Sequence, residues 1–478
     1  MNVFVLHAGQ PELAPFLRSL RVPNGTARPK PSGGLDEMPW LVLPWRADGD
    51  RSGTEPERYA LQPRAAVRRA ANPRAMAETL RLHGIRVADG SGRADGALVR
   101  KFVVPVLQLE ALGSFSSGGA LVPDGRFDVR RFAPSAPDSN ESGGPGRSTA
   151  ARRAERAAVR AVYALGLDYA VVTVRSDAFG RALVEAVDPS PDAAAGPFAA
   201  LFAEAVNRLS SSYALAAGEG GATLGADPEF VLRRPGPDGK IVSASRYFDR
   251  QGRVGCDSVR VGDRLVYPLA ELRPSPSAEP EALFRNLYAA MRLAASRIDD
   301  ASLEWLAGGM PAKGLPLGGH IHVSGVALNA DLLRAMDNYL ALPLVLLEDE
   351  STKRRRPRYG ALGDFRRQFH GGFEYRTLPS WIVSPSVARG VLALAKVVCE
   401  HYRELRERPL ARPEMQAHYY AGRKDEIRST AERLWRDVER TASYARYAKP
   451  LERLKRRILR MESWNEQQDL RVLWKLHP

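Results

Sequence analysis

Four short stretches in the second half of the chain each place two polar residues one residue apart. They are Asp227 and Glu229 in GADPEF, Glu271 and Arg273 in ELRPSP, His320 and His322 in GGHIHVSG, and Glu374 and Arg376 in FEYRTLPS. Successive side chains alternate across a β-strand, so each pair points to a single face. Unpaired carboxylates resist burial against an apolar layer. A chain that repeats this pattern four times is expected to build a sheet with one charged face, where acids, imidazoles and guanidinium groups meet. The chain has eight histidines in 478 residues. Two of them stand here, after a Gly-Gly pair that lets backbone or ligand approach closely.

Singly, each pair has an ordinary explanation. Asp-x-Glu fits a wet sheet face, and a lone Glu-x-Arg is most often a surface ion pair worth roughly 0–1 kcal/mol. Two buried histidines can be satisfied structurally. Together the four pairs form a different set, which Asp257 of GCDSVR joins. Many carboxylates with one or two imidazoles suit hard divalent ions such as Mg²⁺ or Mn²⁺. Arginines nearby suit phosphate oxygens. Metal, carboxylates and arginines are the equipment of phosphoryl transfer. His-x-His also admits zinc, although no cysteine accompanies it. The chain has no Walker A loop, no Gly-x-Gly-x-x-Gly after a strand and no Gly-x-Ser-x-Gly elbow, so nucleotide binding requires another scaffold.

A chain of this length exceeds what one core usually serves. Residues 1–213 alternate strand and helix signals and read as an α/β domain. Within it a strand is expected after Gly84, a hairpin around PDG in 118–135, and a low-complexity loop over 135–149. The glycine-rich stretch 214–222 reads as a linker. Residues 223–410 carry the polar strands, a further strand at 240–247, and helices at 279–298 and 330–348. Residues 411–478 read as a basic helical extension. The balance of 70 Lys+Arg against 55 Asp+Glu gives a formal charge of +15. That surplus fits either anionic ligands or arginine-rich solvated faces. No apolar run is long enough to span a membrane, and the N-terminus lacks signal-peptide features. Two cysteines, Cys256 and Cys399, stand far apart in the sequence, which fits a reducing, cytoplasmic setting.

In order, GADPEF, GCD, ELRPSP, LGGHIHVSG, RRPRYGALGDFR and FEYRTLPS resemble the phage-type COOH-NH2 ligases (type 2). These form part of the amidoligase branch of the glutamine synthetase-like carboxylate–amine ligase fold. The resemblance covers about residues 222–390. It implies an α+β fold in which an antiparallel sheet with flanking helices cradles ATP and divalent ions, Mg²⁺ or Mn²⁺. It also implies a reaction in which a carboxylate attacks the γ-phosphate to give an acyl phosphate, and an amine then displaces phosphate. Carried over by position, Asp227 and Glu229 look like metal ligands, one for each ion. Glu271 with Asp257 looks like a second-strand set, and His320 with Glu374 completes the ligands. His322, Glu374 and Arg376 are the candidate catalytic residues. Arg273, Arg356, Arg358 and Arg366 are the candidates for holding ATP phosphates.

The first domain resembles ATP-grasp ligases through NPRAMAETLRLHGIRVAD, RKFVVPVLQLEALGSF, ALGLDYAVVTV and LVEAVDPSP. Where that family expects an acid followed by Val-Asn, this chain has Ala186, Val187 and Asp188, with Glu185 one place early. Thr173 stands where an acid is often seen. The resemblance therefore implies a degenerate domain that positions substrate or partner. Two other readings of the whole chain stay open: a zinc-dependent hydrolase using His-x-His with Glu374, and a non-catalytic binding protein with inert ligase-like domains. The expected partners are a carboxylate and an amine, with peptides and cell-envelope polymers among the options. Neither membrane nor nucleic acid is among them.

Overall fold

The computed structural model describes residues 2–29, 40–45, 61–88, 100–116, 133–134, 148–177, 179–191, 198–215, 221–236 and 239–476. The PDG turn, nearly all of the 135–149 loop and most of the 214–222 linker lie outside the described residues. The chain divides into two compact units, Met1–Ala217 and Gly218–Pro478.

In the first unit, β1 (Val3–His7) lies between Asn24–Gly25 and β2 (Leu41–Trp45) in a parallel sheet. A second, antiparallel sheet is built on β3 (Lys101–Leu107), β4 (Tyr169–Ser176) and β5 (Ala182–Asp188). The period-two alternation of β3 decides what covers each face. Val103 and Leu107 pack with Phe198, Phe202 and Val206 of the helix Phe198–Leu215. Val104 and Val106 pack on the other side with α1 (Thr149–Leu165), which presents Ala151, Ala154, Ala158, Ala161 and Leu165 at helical spacing. Ser148 caps the start of α1 by accepting from the Ala151 N–H, and Gly166 ends it in the left-handed region. The strand expected after Gly84 amounts to a single bridge between Val87 and Val184.

The second unit is built on an antiparallel sheet in the order Val254–Val261, Arg264–Leu272, Thr223–Arg233, Gly319–Ser324, Phe373–Tyr375, Phe365–Arg367. Its strands are β6 (Thr223–Arg233), β7 (Val254–Val261), β8 (Arg264–Leu272), β9 (Glu304–Leu306), β10 (Gly319–Ser324), β11 (Phe365–Arg367) and β12 (Phe373–Tyr375). β9 pairs with the far end of β6. The strand expected at 240–247 is only Ile241–Val242, followed by a 3-10 turn. Helices α2 (Pro280–Arg297) and α3 (Pro385–His401) pack on each other, and α4 (Ala448–Leu459) packs on α3. The residues 330–348 are helical but irregular. An α segment to Met336 widens into a π turn over Asp337–Ala341 before Pro343. Proline cannot donate to the carbonyl four residues back and its ring crowds that carbonyl, so the wider turn makes room for it. The α+β expectation, an antiparallel sheet with flanking helices and a helical C-terminal region, holds. Cys256 and Cys399 are buried free thiols. Among the described residues no helix is long and apolar enough to cross a membrane.

Candidate active site

Strand register brings the polar pairs together. Asp227 lies opposite His320, and Gly225 opposite His322. His322 lies opposite Glu374, which lies opposite Arg366. On the other side of β6, Glu229 lies opposite Glu271. Residues directly opposite in an antiparallel pair share a face. One row therefore crosses the sheet: Glu271, Glu229, Asp227, His320, His322, Glu374 and Arg366. The same face continues past Glu229 and Glu271 into Val231 and Leu269, which cluster with Leu306 and Leu317. This apolar end explains why Glu229 and Glu271 are buried. Asp257 lies next to a bulge in β7 and is exposed.

Gly318 makes room for the row at His320, and Gly255 lies against Arg273. A Cβ on Gly318 would lie 2.4 Å from His320 Nε2, so the residue before the strand must be glycine for the imidazole to sit there. A Cβ on Gly255 would fall 2.1 Å from the Arg273 guanidinium, which pairs with Glu271. The Gly318 N–H donates to Glu229 Oε2 at 2.6 Å. Ser380 Oγ donates to the Glu229 carbonyl at 2.5 Å.

The contacts within the row are close. His320 Nδ1 is 3.1 Å from Asp227 Oδ1 and 3.1 Å from Glu374 Oε1. His322 Nε2 is 3.0 Å from Asp227 Oδ2. Glu374, only 1% exposed, also contacts Arg376, Arg366 at 3.1 Å and Gln368 Nε2 at 3.2 Å. Burial pushes Glu229 well above the usual carboxylate range. The Gly318 N–H opposes that push, and Glu271, Asp257 and Asp227 add to it. Burial, with Asp227 next in weight, pushes Glu271 up to about 8. Burial would raise Asp227 as well, but His320 and His322 outweigh it and hold this carboxyl well below its ordinary value. Burial would lower His322, and Asp227 outweighs that and raises it. Adjacent carboxyls thus divide: Asp227 is ionised while Glu271 keeps a proton to near-neutral pH.

The donor set fits a divalent cation. Asp227 Oδ1, His320 Nδ1 and His322 Nε2 are buried and, despite their short separations, none meets hydrogen-bond geometry with a partner. Buried polar atoms are normally satisfied, and these three are placed where they could ligate an ion. Asp227, His322 and Glu374 each offer a ligand atom, all within 4.8 Å of one another.

The arginines separate by environment. Arg376 and Arg366 reach the row through Glu374, with Arg366 60% exposed. Arg273 reaches it through Glu271. Arg356 does not join it. Its side chain is 2% exposed, paired with Glu348 and stacked 4.6 Å over the Tyr419 ring. Arg358 is exposed and lies over Tyr359. Sequence reading missed Gln368 and also Arg355, the immediate neighbour of Arg356. Arg355 is buried, donates to the Thr377 carbonyl at 2.8 Å, and has an Nε without a partner. The density of arginines in KRRRPR hides which one is buried without a carboxylate. In the first unit, Glu185 is engaged by Lys101 at 3.1 Å and Arg175 at 2.8 Å, and Thr173 is buried.

The antiparallel sheet thus carries acids, imidazoles and guanidinium groups on one face. Residues 224–476 match the family model described as phage phiEco32-like COOH.NH2 ligase-type 2, and the chain belongs to that family. The matched region includes the C-terminal helices. No curated protein matches the sequence. Among solved structures, a bifunctional glutathione synthetase from Pasteurella multocida aligns at 13% identity with a TM-score of 0.32, over 54% of this chain and 52% of that one. The chain thus spans about half the length of that protein, and a likeness this low decides nothing about function.

Proposed function

We propose that the protein is an ATP-dependent carboxylate–amine ligase that forms an amide through an acyl phosphate. Family membership supports the amide-forming class. The observation that carries the metal-dependent reading is the set of buried, unpartnered atoms on Asp227, His320 and His322 beside Glu374. Asp227, His320, His322 and Glu374 would hold one Mg²⁺ or Mn²⁺. Glu229 and Glu271, with Asp257 at the margin, would hold a second. When bound, such ions supply charge neutralisation for nucleotide phosphates. Arg376 and Arg366, already poised on Glu374, orient the transferring phosphoryl group, and Arg273 serves the Glu271 end of the row. Arg356 and Arg358 are not assigned phosphate contacts. The substrates proposed are a carboxylate and an amine, including those of peptides or cell-envelope polymers.

The first unit is proposed to position substrate or partner. Its Glu185 lies beside Lys101 and Arg175. The test of the main reading is release of ADP that requires a divalent ion and both substrates, and that is lost in H320A and E374A with the fold intact. A purified chain that binds no nucleotide with any divalent ion would refute it. A zinc hydrolase is the second reading, because two imidazoles and two carboxylates share the site. Elemental analysis separates them: about one tightly held zinc per chain favours the hydrolase, and weak exchangeable binding favours magnesium.

A further inference from the structure

Glu466 belongs to none of the motifs that define the row, yet its carboxylate, 1% exposed, is the meeting point of five donors. Its Oε1 accepts from the Gly309 N–H, from Thr352 Oγ1 at 2.5 Å and from Trp464 Nε1 at 3.3 Å. Its Oε2 accepts from the Met310 N–H and from Ser351 Oγ, both at 2.8 Å. Among the described residues no lysine or arginine pairs with it. A buried anion held only by neutral donors is costly unless every bond is made. The surroundings are built to that end: a Cβ on Gly308 would lie 2.4 Å from Glu466, and one on Gly309 would lie 2.5 Å from Thr352.

Four of the five donors come from two distant segments, and Trp464 comes from the chain just before Glu466. The Gly308–Met310 turn connects to Glu229 twice. The Gly309 carbonyl accepts from the Leu317 N–H at 2.9 Å, and the next amide, Gly318, holds the Glu229 carboxylate. The Gly308 carbonyl accepts from the Ser380 N–H at 3.0 Å, and Ser380 Oγ holds the Glu229 carbonyl. Ser351 and Thr352 belong to the 3-10 turn Glu350–Arg355 that ends in the buried Arg355.

We propose that Glu466 is a positioning residue of the active site, fixing the Gly318 amide and hence Glu229 from the C-terminal segment. The proposal rests on the reading of Glu229 as a metal ligand. Glutamine at this position can keep the Oε1 bonds but turns an N–H₂ toward the Met310 N–H. E466Q in the full chain is therefore expected to loosen the turn without emptying the space. Two measurements decide it. Mn²⁺ titration of the folded protein is expected to show affinity weakened about tenfold or more, as for lost outer-shell support, with the ion concentration for half-maximal activity rising more than kcat falls. Hydrogen exchange of the metal-free protein is expected to show faster exchange over residues 309–318. A lower thermal midpoint with unchanged Mn²⁺ affinity and unchanged exchange would overturn the proposal and leave Glu466 a purely structural residue. If the wild-type chain binds no Mn²⁺, the reading of the row fails, and the exchange data alone still decide whether Glu466 holds Gly318. If E466Q does not fold, S351A, which removes one donor, is read by the same two measurements.

Discussion

Glu271 and Arg356 show how local environment separates residues of similar appearance. The Glu271 carboxyl, ordinarily near 4.5, is pushed up to about 8 in the folded chain. Between those values the folded state holds a proton that the unfolded state has released, so stability of the metal-free protein falls as pH rises. Thermal midpoints in chelator should therefore decline from about pH 4.5 to 8, and a flat profile would contradict this. An ion that binds Glu271 must displace the proton. Mg²⁺ affinity should rise with pH toward 8, by about tenfold per unit if one proton leaves per ion. Arg356 and Arg376 make the second contrast. R356M strips a buried pair and should destabilise the protein by about 3–5 kcal/mol in denaturant titrations. On the role proposed for Arg376, R376A should lower kcat by about 10²–10³-fold.

The strands and the turn before β10 carry the design that sequence pattern made visible. Period-two spacing was enough to put Asp227 with Glu229, and His320 with His322, on one side of their own strand, but a one-residue slip in pairing would send one set to the opposite face. The register that joins them was not visible, since it depends on which strands become neighbours. Arg273 and Arg376 fall just past the ends of β8 and β12, so their pairing with the preceding glutamates comes from side-chain reach and not from strand alternation alone. The role of Arg356 was hidden for a different reason: burial against Glu348 and Tyr419 is a tertiary fact, and neighbouring arginines look alike in sequence. Glu466 had little local signal, because four of its five donors come from segments more than a hundred residues away and only Trp464 is a sequence neighbour. The Gly-Gly before His320, in contrast, was legible as a close approach. G318A should push the imidazole out of place and weaken Mn²⁺ binding about tenfold, measured by titration. Unaltered affinity would show that the imidazole position is not needed.

The whole molecule has two units with separate cores. Calorimetry should resolve two unfolding transitions, as multidomain chains commonly show. Mg²⁺ with ATP should stabilise only the transition of the second unit, by about 2.7 kcal/mol when ligand is a hundredfold above its Kd. A shift confined to the first unit would move nucleotide binding to Met1–Ala217. The whole functional reading depends on divalent ions and nucleotide meeting at the charged row. Diffraction from crystals of the full chain soaked with Mn²⁺ and a non-hydrolysable ATP analogue examines this in one step. The expected result is an anomalous peak bonded to Asp227, His322 and Glu374, with analogue phosphates beside it facing Arg376. A peak at another site, or a row that stays empty at saturating Mn²⁺, would contradict it.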